Sequence, residues 1–126
     1  MTRLREFRER IRRELPRDLT RGARVRRDRE EGTATVDLGR AREADRIRLA
    51  EDIRHGRQLE HAVIEARTRG GWRTVTEVDT VGASRVLLLA APVTARRWRL
   101  RVTRSRRTVR MAEFGLYRSD LHRSQV

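Results

Sequence analysis

The chain has 126 residues, 40% of them charged, with a formal net charge of +14 and no cysteine. That length suits one domain able to bury about two thirds of its unfolded surface, so neither a metal nor a disulfide is needed to hold it. The lack of cysteine excludes a disulfide framework and a thiolate zinc site.

The first eighteen residues, "MTRLREFRERIRRELPRD", contain no apolar run of the kind a signal peptide or membrane anchor needs. A complete chain is therefore expected to have no membrane span and to stay in the cytoplasm. Leu4, Phe7, Ile11 and Leu15 recur at spacings of three, four and four residues, which predicts a short amphipathic helix over 1–16 ended by Pro16. Its narrow stripe would need a partner: the following domain, another copy or a separate protein. Residues 17–32 show no sustained period and read as an irregular connection.

From Gly32 the apolar period changes to two. "TATVDLG", "RIRLA" and "RRWRLRVT" each alternate apolar and polar residues, as strands with one wet face do. Trp98, Leu100 and Val102 fall inward, and Arg97, Arg99 and Arg101 outward. In "TRGGWRTVTEV" the Gly-Gly pair predicts a hairpin. "SRVLLLA" reads as a strand covered on both faces, and "AEFGLYR" closes a domain over 17–118, with 119–126 a frayed tail. Many short strands with turns between them predict an all-β fold, an antiparallel β-sandwich or barrel behind one helix.

"EDIRHGRQLEHAVIEA", Glu51 to Ala66, looks the most chemical. Residues 60–66 alternate and precede a Gly-Gly turn, so they read as a strand rather than a helix, with "EDIRHG" as the loop feeding it. Glycoside hydrolysis needs two carboxyl groups facing one bond, about 5 Å apart for a retaining enzyme. Glu51–Asp52 and Glu30–Glu31 are only sequence neighbours, which does not bring carboxyl groups across a pocket. His55 and His61, six apart, find no third ligand at metal spacing.

The run "RIRLAEDIRHGRQLEHAVIEA", then "GWRTV", "TVGASRVLLLAAPVTARRWRLRVTRS" and "MAEFGLYR", resembles the C-terminal domain of bacterial α-L-fucosidases of glycoside hydrolase family 29. That resemblance implies a discoidin-like, galactose-binding-like jelly roll (the factor V/VIII type C fold). It also makes Glu51 a framework residue at a strand–loop junction and Trp72 part of the hairpin at the core edge. The sequence departs from the family pattern where "GARVRRDREEGTATVDLG" omits the segment that supports calcium in related modules, so no cofactor is expected. The catalytic barrel and its aspartate nucleophile are not in this sequence.

The resemblance implies a non-catalytic accessory domain with a support or weak carbohydrate-binding role, partnered by a fucosylated glycan or a separately encoded catalytic barrel. For sugar hydroxyls the candidate residues are Arg54, His55 and Arg57 on the loop, with Trp72 as a stacking platform. The alternatives are a module docking through the Leu4/Phe7/Ile11/Leu15 stripe, or a truncated remnant with generic affinity for polyanions. The outward row Arg97, Arg99 and Arg101, set beside Arg46 and Arg48, would form a basic stripe. Nucleic acid is a poor fit, because aromatics make up only 4% of the chain and bases need aromatic faces to stack on. All 32 basic residues are arginine, a pattern that suggests coding bias more than selection for phosphate.

Overall fold

Two strands in this protein are far longer than the usual five or six residues or so. They are β3 (Thr33–Glu51) and β6 (Arg85–Ser105), and their pairing explains the fold. The computed structural model describes residues 17–28, 30–54 and 56–119, so the predicted N-terminal helix with its stripe, His55, and the tail beyond Ser119 lie outside the described residues. The other strands are β1 (Arg17–Asp18), β2 (Arg24–Asp28), β4 (Leu59–Thr68), β5 (Gly71–Val78) and β7 (Met111–Arg118). All pairings are antiparallel.

β3 and β6 each contribute to both layers of a β-sandwich. The first half of β3, Thr33 to Asp37, pairs with β2 on one side and with Arg97 to Arg101 of β6 on the other. That end of β6 also pairs with β4, and β4 with β5. These strands form the first sheet. Past the register shifts between Asp37 and Arg42 and between Ala44 and Arg46, β3 pairs with Arg85 to Leu88 of β6 and with β7, which carries β1. These strands form the second sheet.

The bend has a sequence cause. Gly39 holds φ at 83°, a left-handed conformation in which any side chain is strained. Across the second shift, where Ala44 pairs with Val93 and Arg46 with Leu88, the inward set of β3 moves from even positions (Ala34, Val36, Ala44) to odd ones (Ile47, Leu49), as it does at a bulge. β6 changes parity likewise, from Leu89 and Ala95 to Trp98 and Leu100. One apolar cluster lies between the sheets. Val36, Ile64, Ala66, Trp98 and Leu100 come from the first, and Ile47, Leu49, Leu89, Phe114 and Leu116 from the second. Trp98 is fully buried, and its Nε1 donates to the Ala95 carbonyl at 3.1 Å.

The structure differs from the sequence reading in several places. The irregular connection over 17–32 contains β1 and β2. Their signal is hidden because "RVRRD" carries a single apolar residue, Val25, on a strand that lies at a sheet edge. "SRVLLLA" is not covered on both faces, since Val86 and Leu88 are 55% and 70% exposed while Leu89 is buried. Its apolar run fits a half-buried strand whose outer face is apolar as well. Ser119, taken as the first tail residue, is fully buried, and its N–H donates to Asp45 Oδ1 at 2.8 Å.

Candidate functional site

Glu51 ends β3 where the chain leaves the second sheet, and it is buried, 3% exposed. Its Oε1 accepts the backbone N–H groups of Gln58 at 2.6 Å and Leu59 at 3.1 Å. The carboxylate thus closes the 52–58 loop and starts β4, satisfying donors that no strand partner reaches. Asp52 beside it binds Arg54 in a two-pronged pair, Nε to Oδ1 at 3.0 Å and Nη2 to Oδ2 at 2.7 Å. The Arg54 hydrogen bonds hold the Asp52 pKa at about 2. Neither acid faces the other across a pocket. Arg57 lays its guanidinium against Gly82, where a Cβ would come 3.2 Å from Nε.

Trp72 stands apart from this loop. It pairs with Arg67 near the far end of β4, while the loop feeds Leu59 at the near end. Eight residues of extended strand separate the two by about 26 Å. Arg54 and Arg57 therefore do not share a site with Trp72. Nor does Trp72 sit at the core edge, because it lies on the outer face of the first sheet. Arg99 stacks over its ring at 4.3 Å and Arg67 stands at 5.8 Å, occupying a face a sugar would need.

Also on that outer face, the buried carboxylate of Glu65 accepts the Nε of Arg99 and of Arg101, both at 3.1 Å. His61 Nδ1 bonds Thr103 Oγ1, and its Nε2 lies 3.7 Å from Glu77. The basic row is thus largely paired internally. It is also not beside Arg46 and Arg48, which pair across from Leu88 and Val86 on the second sheet. The bend in β3 puts the two sets on opposite outer faces.

The structure assembles a different cleft, one the sequence did not reveal. The β2–β3 hairpin and the β6–β7 loop meet at one end of the sandwich around a cavity of about 320 Å³. Arg27, Arg107 and Arg110 line it together with Asp28, Glu30 and Glu31, over an apolar floor that includes Leu100, Val102 and Met111. Asp28 Oδ1 accepts the N–H groups of Glu30 and Glu31 at 3.1 and 3.2 Å, which shapes the hairpin. The 52–58 loop forms the neighbouring rim: Asp52 N–H donates to the Arg110 carbonyl at 2.7 Å and Arg106 N–H to the Gln58 carbonyl at 2.8 Å. Guanidinium donors facing carboxylate acceptors over apolar surface suit a ligand with vicinal hydroxyls and a C–H face. The one sequence signal was Asp28 ahead of Glu-Glu-Gly, an Asx-turn pattern; the other wall comes from residues more than seventy positions away.

Among the described residues, no group of three or more His, Asp or Glu side chains gathers where it could hold a metal ion. Among the same residues, no helix is long and apolar enough to cross a membrane.

No protein-family model and no curated protein matches the sequence. Solved structures do. A Bacteroides thetaiotaomicron structure assigned as an α-L-fucosidase aligns with a TM-score of 0.72 and 26% identity, over 92% of this chain and 26% of that one. A Bacteroides ovatus structure assigned likewise gives 0.66 and 29%, over 78% of this chain and 18% of that one. A chitosan-binding module from a Paenibacillus sp. IK-5 chitosanase/glucanase shares the fold, with a TM-score of 0.56 and 21% identity, over 75% of this chain and 73% of the module. This chain has the β-sandwich fold of an accessory domain of family 29 α-L-fucosidases, as its sequence resemblance indicated, and spans about a quarter or less of those proteins.

Proposed function

We propose that this accessory domain of the family 29 α-L-fucosidase type is a non-catalytic module that supports a catalytic barrel, including one encoded separately, and holds a neutral sugar in its loop-end cleft. The observation that carries this reading is the cleft itself. Among the described residues that line it, three arginines and three carboxylates balance their charge over an apolar floor, a lining matched to an uncharged, hydroxyl-rich ligand. A fucosylated glycan is the ligand suggested by the likeness to fucosidases, and the chitosan-binding module offers a precedent for sugar binding on this type of sandwich. Arg54 and Arg57 act as rim residues in this proposal, and Trp72 takes no part. No cofactor is involved.

Calorimetric titration of the folded chain with L-fucose and fucosylated oligosaccharides, at low and high salt, tests the sugar-binding half. Heat that persists at high salt and drops about fivefold or more in affinity with Glu31→Ala or Arg107→Ala is the expected result. No heat with any sugar removes the carbohydrate role and leaves only support.

A second reading, a protein-docking module, rests on the exposed Val86 and Leu88. They lie on an edge half-strand whose only strand partner among the described residues is β3.

A further inference from the structure

The two ends of the sandwich carry clefts of similar size and opposite character. At the end away from the loop cleft, the β1–β2 connection and the bend of β3 enclose openings of about 350 and 280 Å³. Both are lined by Leu19 and Arg42, so they form one groove. Among the described residues, seven arginines and two carboxylates line it, against three of each in the loop-end cleft. An arginine-rich composition acts on both ends alike, so it does not account for this difference. The bend does, because it gathers the "GRAR" turn of β3, the "RGAR" loop after β1, and Arg96 and Arg118 around one space.

Both carboxylates of the groove are already engaged. Asp37 accepts Arg96 Nε at 2.9 Å and the Gly39 N–H at 2.8 Å, with Arg97 at 3.6 Å. Glu43 lies 3.3 Å from Arg118. Arg17, Arg21, Arg24, Arg40 and Arg42 have no ion-pair partner among the described residues. Five like charges around one concavity raise a positive potential that draws in anions, and each guanidinium offers a fork matched to two oxygens of a sulfate or carboxylate. Between them, buried Leu19 and half-buried Ala23 and Leu38 supply apolar contact.

We infer that this groove is a binding site for an acidic polysaccharide, a sugar chain bearing sulfate or carboxylate groups. A nucleic acid fits it less well, since no aromatic side chain among the described residues lines the groove to stack on a base. The site is separate from the loop-end cleft, so failure of either proposal leaves the other standing.

The test is equilibrium binding of the full chain to fluorescently labelled heparin (sulfate), polygalacturonate (carboxylate), neutral dextran and duplex DNA across a salt series. One variant, Arg21→Ala/Arg24→Ala/Arg42→Ala, removes groove charge. A second, Arg67→Ala/Arg69→Ala/Arg73→Ala, removes the same charge from the β4–β5 hairpin. Heparin, polygalacturonate or both should bind, with affinity falling about tenfold or more in the groove variant, about twofold or less in the hairpin variant, and a shallower salt slope only in the former. The matching Arg→Lys triple keeps the charge and should recover part of the loss, which separates a binding defect from misfolding. Equal losses in both alanine variants would reduce the effect to net charge. Duplex DNA binding as tightly as the acidic glycans, or no binding to either of them, would equally overturn the site.

Discussion

Glu51 was conspicuous in the sequence as one of two adjacent acids, and the resemblance already implied a framework role. One of its oxygens accepts two backbone N–H groups, while Oε2 is buried without a hydrogen-bond partner among the described residues. Glu51→Ala removes the acceptor from two donors and should cost about 2–3 kcal/mol. Glu51→Gln keeps an acceptor oxygen, and urea unfolding should place it closer to the wild type than to the alanine variant. Equal losses for both would show that the hydrogen bonds to Gln58 and Leu59 are not what matters. Asp37 shows a different effect. The Arg96 hydrogen bond, with the Gly39 N–H behind it, holds its pKa at about 2, below the roughly 3.9 of an unfolded aspartate. A folded-state pKa that is depressed stabilises the fold above the unfolded value, and that contribution is lost as pH falls towards the folded one. Thermal midpoints should therefore fall between about pH 4 and pH 2, and Asp37→Asn should flatten part of that fall. An unchanged profile in the variant would dismiss the Arg96 pair as a source of acid sensitivity. The Asp37–Arg96 partnership was not legible in sequence, because the two residues are 59 positions apart.

At the scale of elements, alternation was informative wherever apolar and polar residues took turns. β3, β4, β7 and the second half of β6 were readable for that reason. β1 and β2 were not, since an edge strand of mostly charged residues has no apolar period to detect. The first half of β6 carries a run of ten uncharged residues, Val86 to Ala95, in a chain that is 40% charged. Edge strands are ordinarily guarded by charge, and here the outward Val86 and Leu88 leave that half-strand unguarded. Leu88→Lys should lower concentration-dependent self-association, measured by analytical ultracentrifugation, with a stability change within about 0.5 kcal/mol. A wild type that stays monomeric at every concentration would remove self-association as a consequence of this edge. Gly115 on β7, on the other side of β3, has the opposite constraint: a Cβ there would meet the Tyr117 ring at 2.8 Å, so a side chain at that position would force the ring to move.

For the whole molecule, the shared strands matter most. Because β3 and β6 each belong to both sheets, neither sheet unfolds without breaking pairings in the other. Calorimetry should therefore show one transition whose calorimetric and van't Hoff enthalpies agree. Two resolved transitions would contradict a core spanning both layers. The sequence alone determined the all-β class, the inward set around Trp98 and the likeness to a fucosidase accessory domain. All of these depend on local alternation and on residue order, which a linear chain displays directly. The tertiary structure decided which side chains share a space. It parted Trp72 from the 52–58 loop, put Arg46 and Arg48 on a different face from Arg97 to Arg101, and made a charge-balanced cleft at one end and an arginine-lined groove at the other. Those outcomes depend on where β3 bends and how its register shifts, and a shift of one residue sends a side chain to the other face of the sheet.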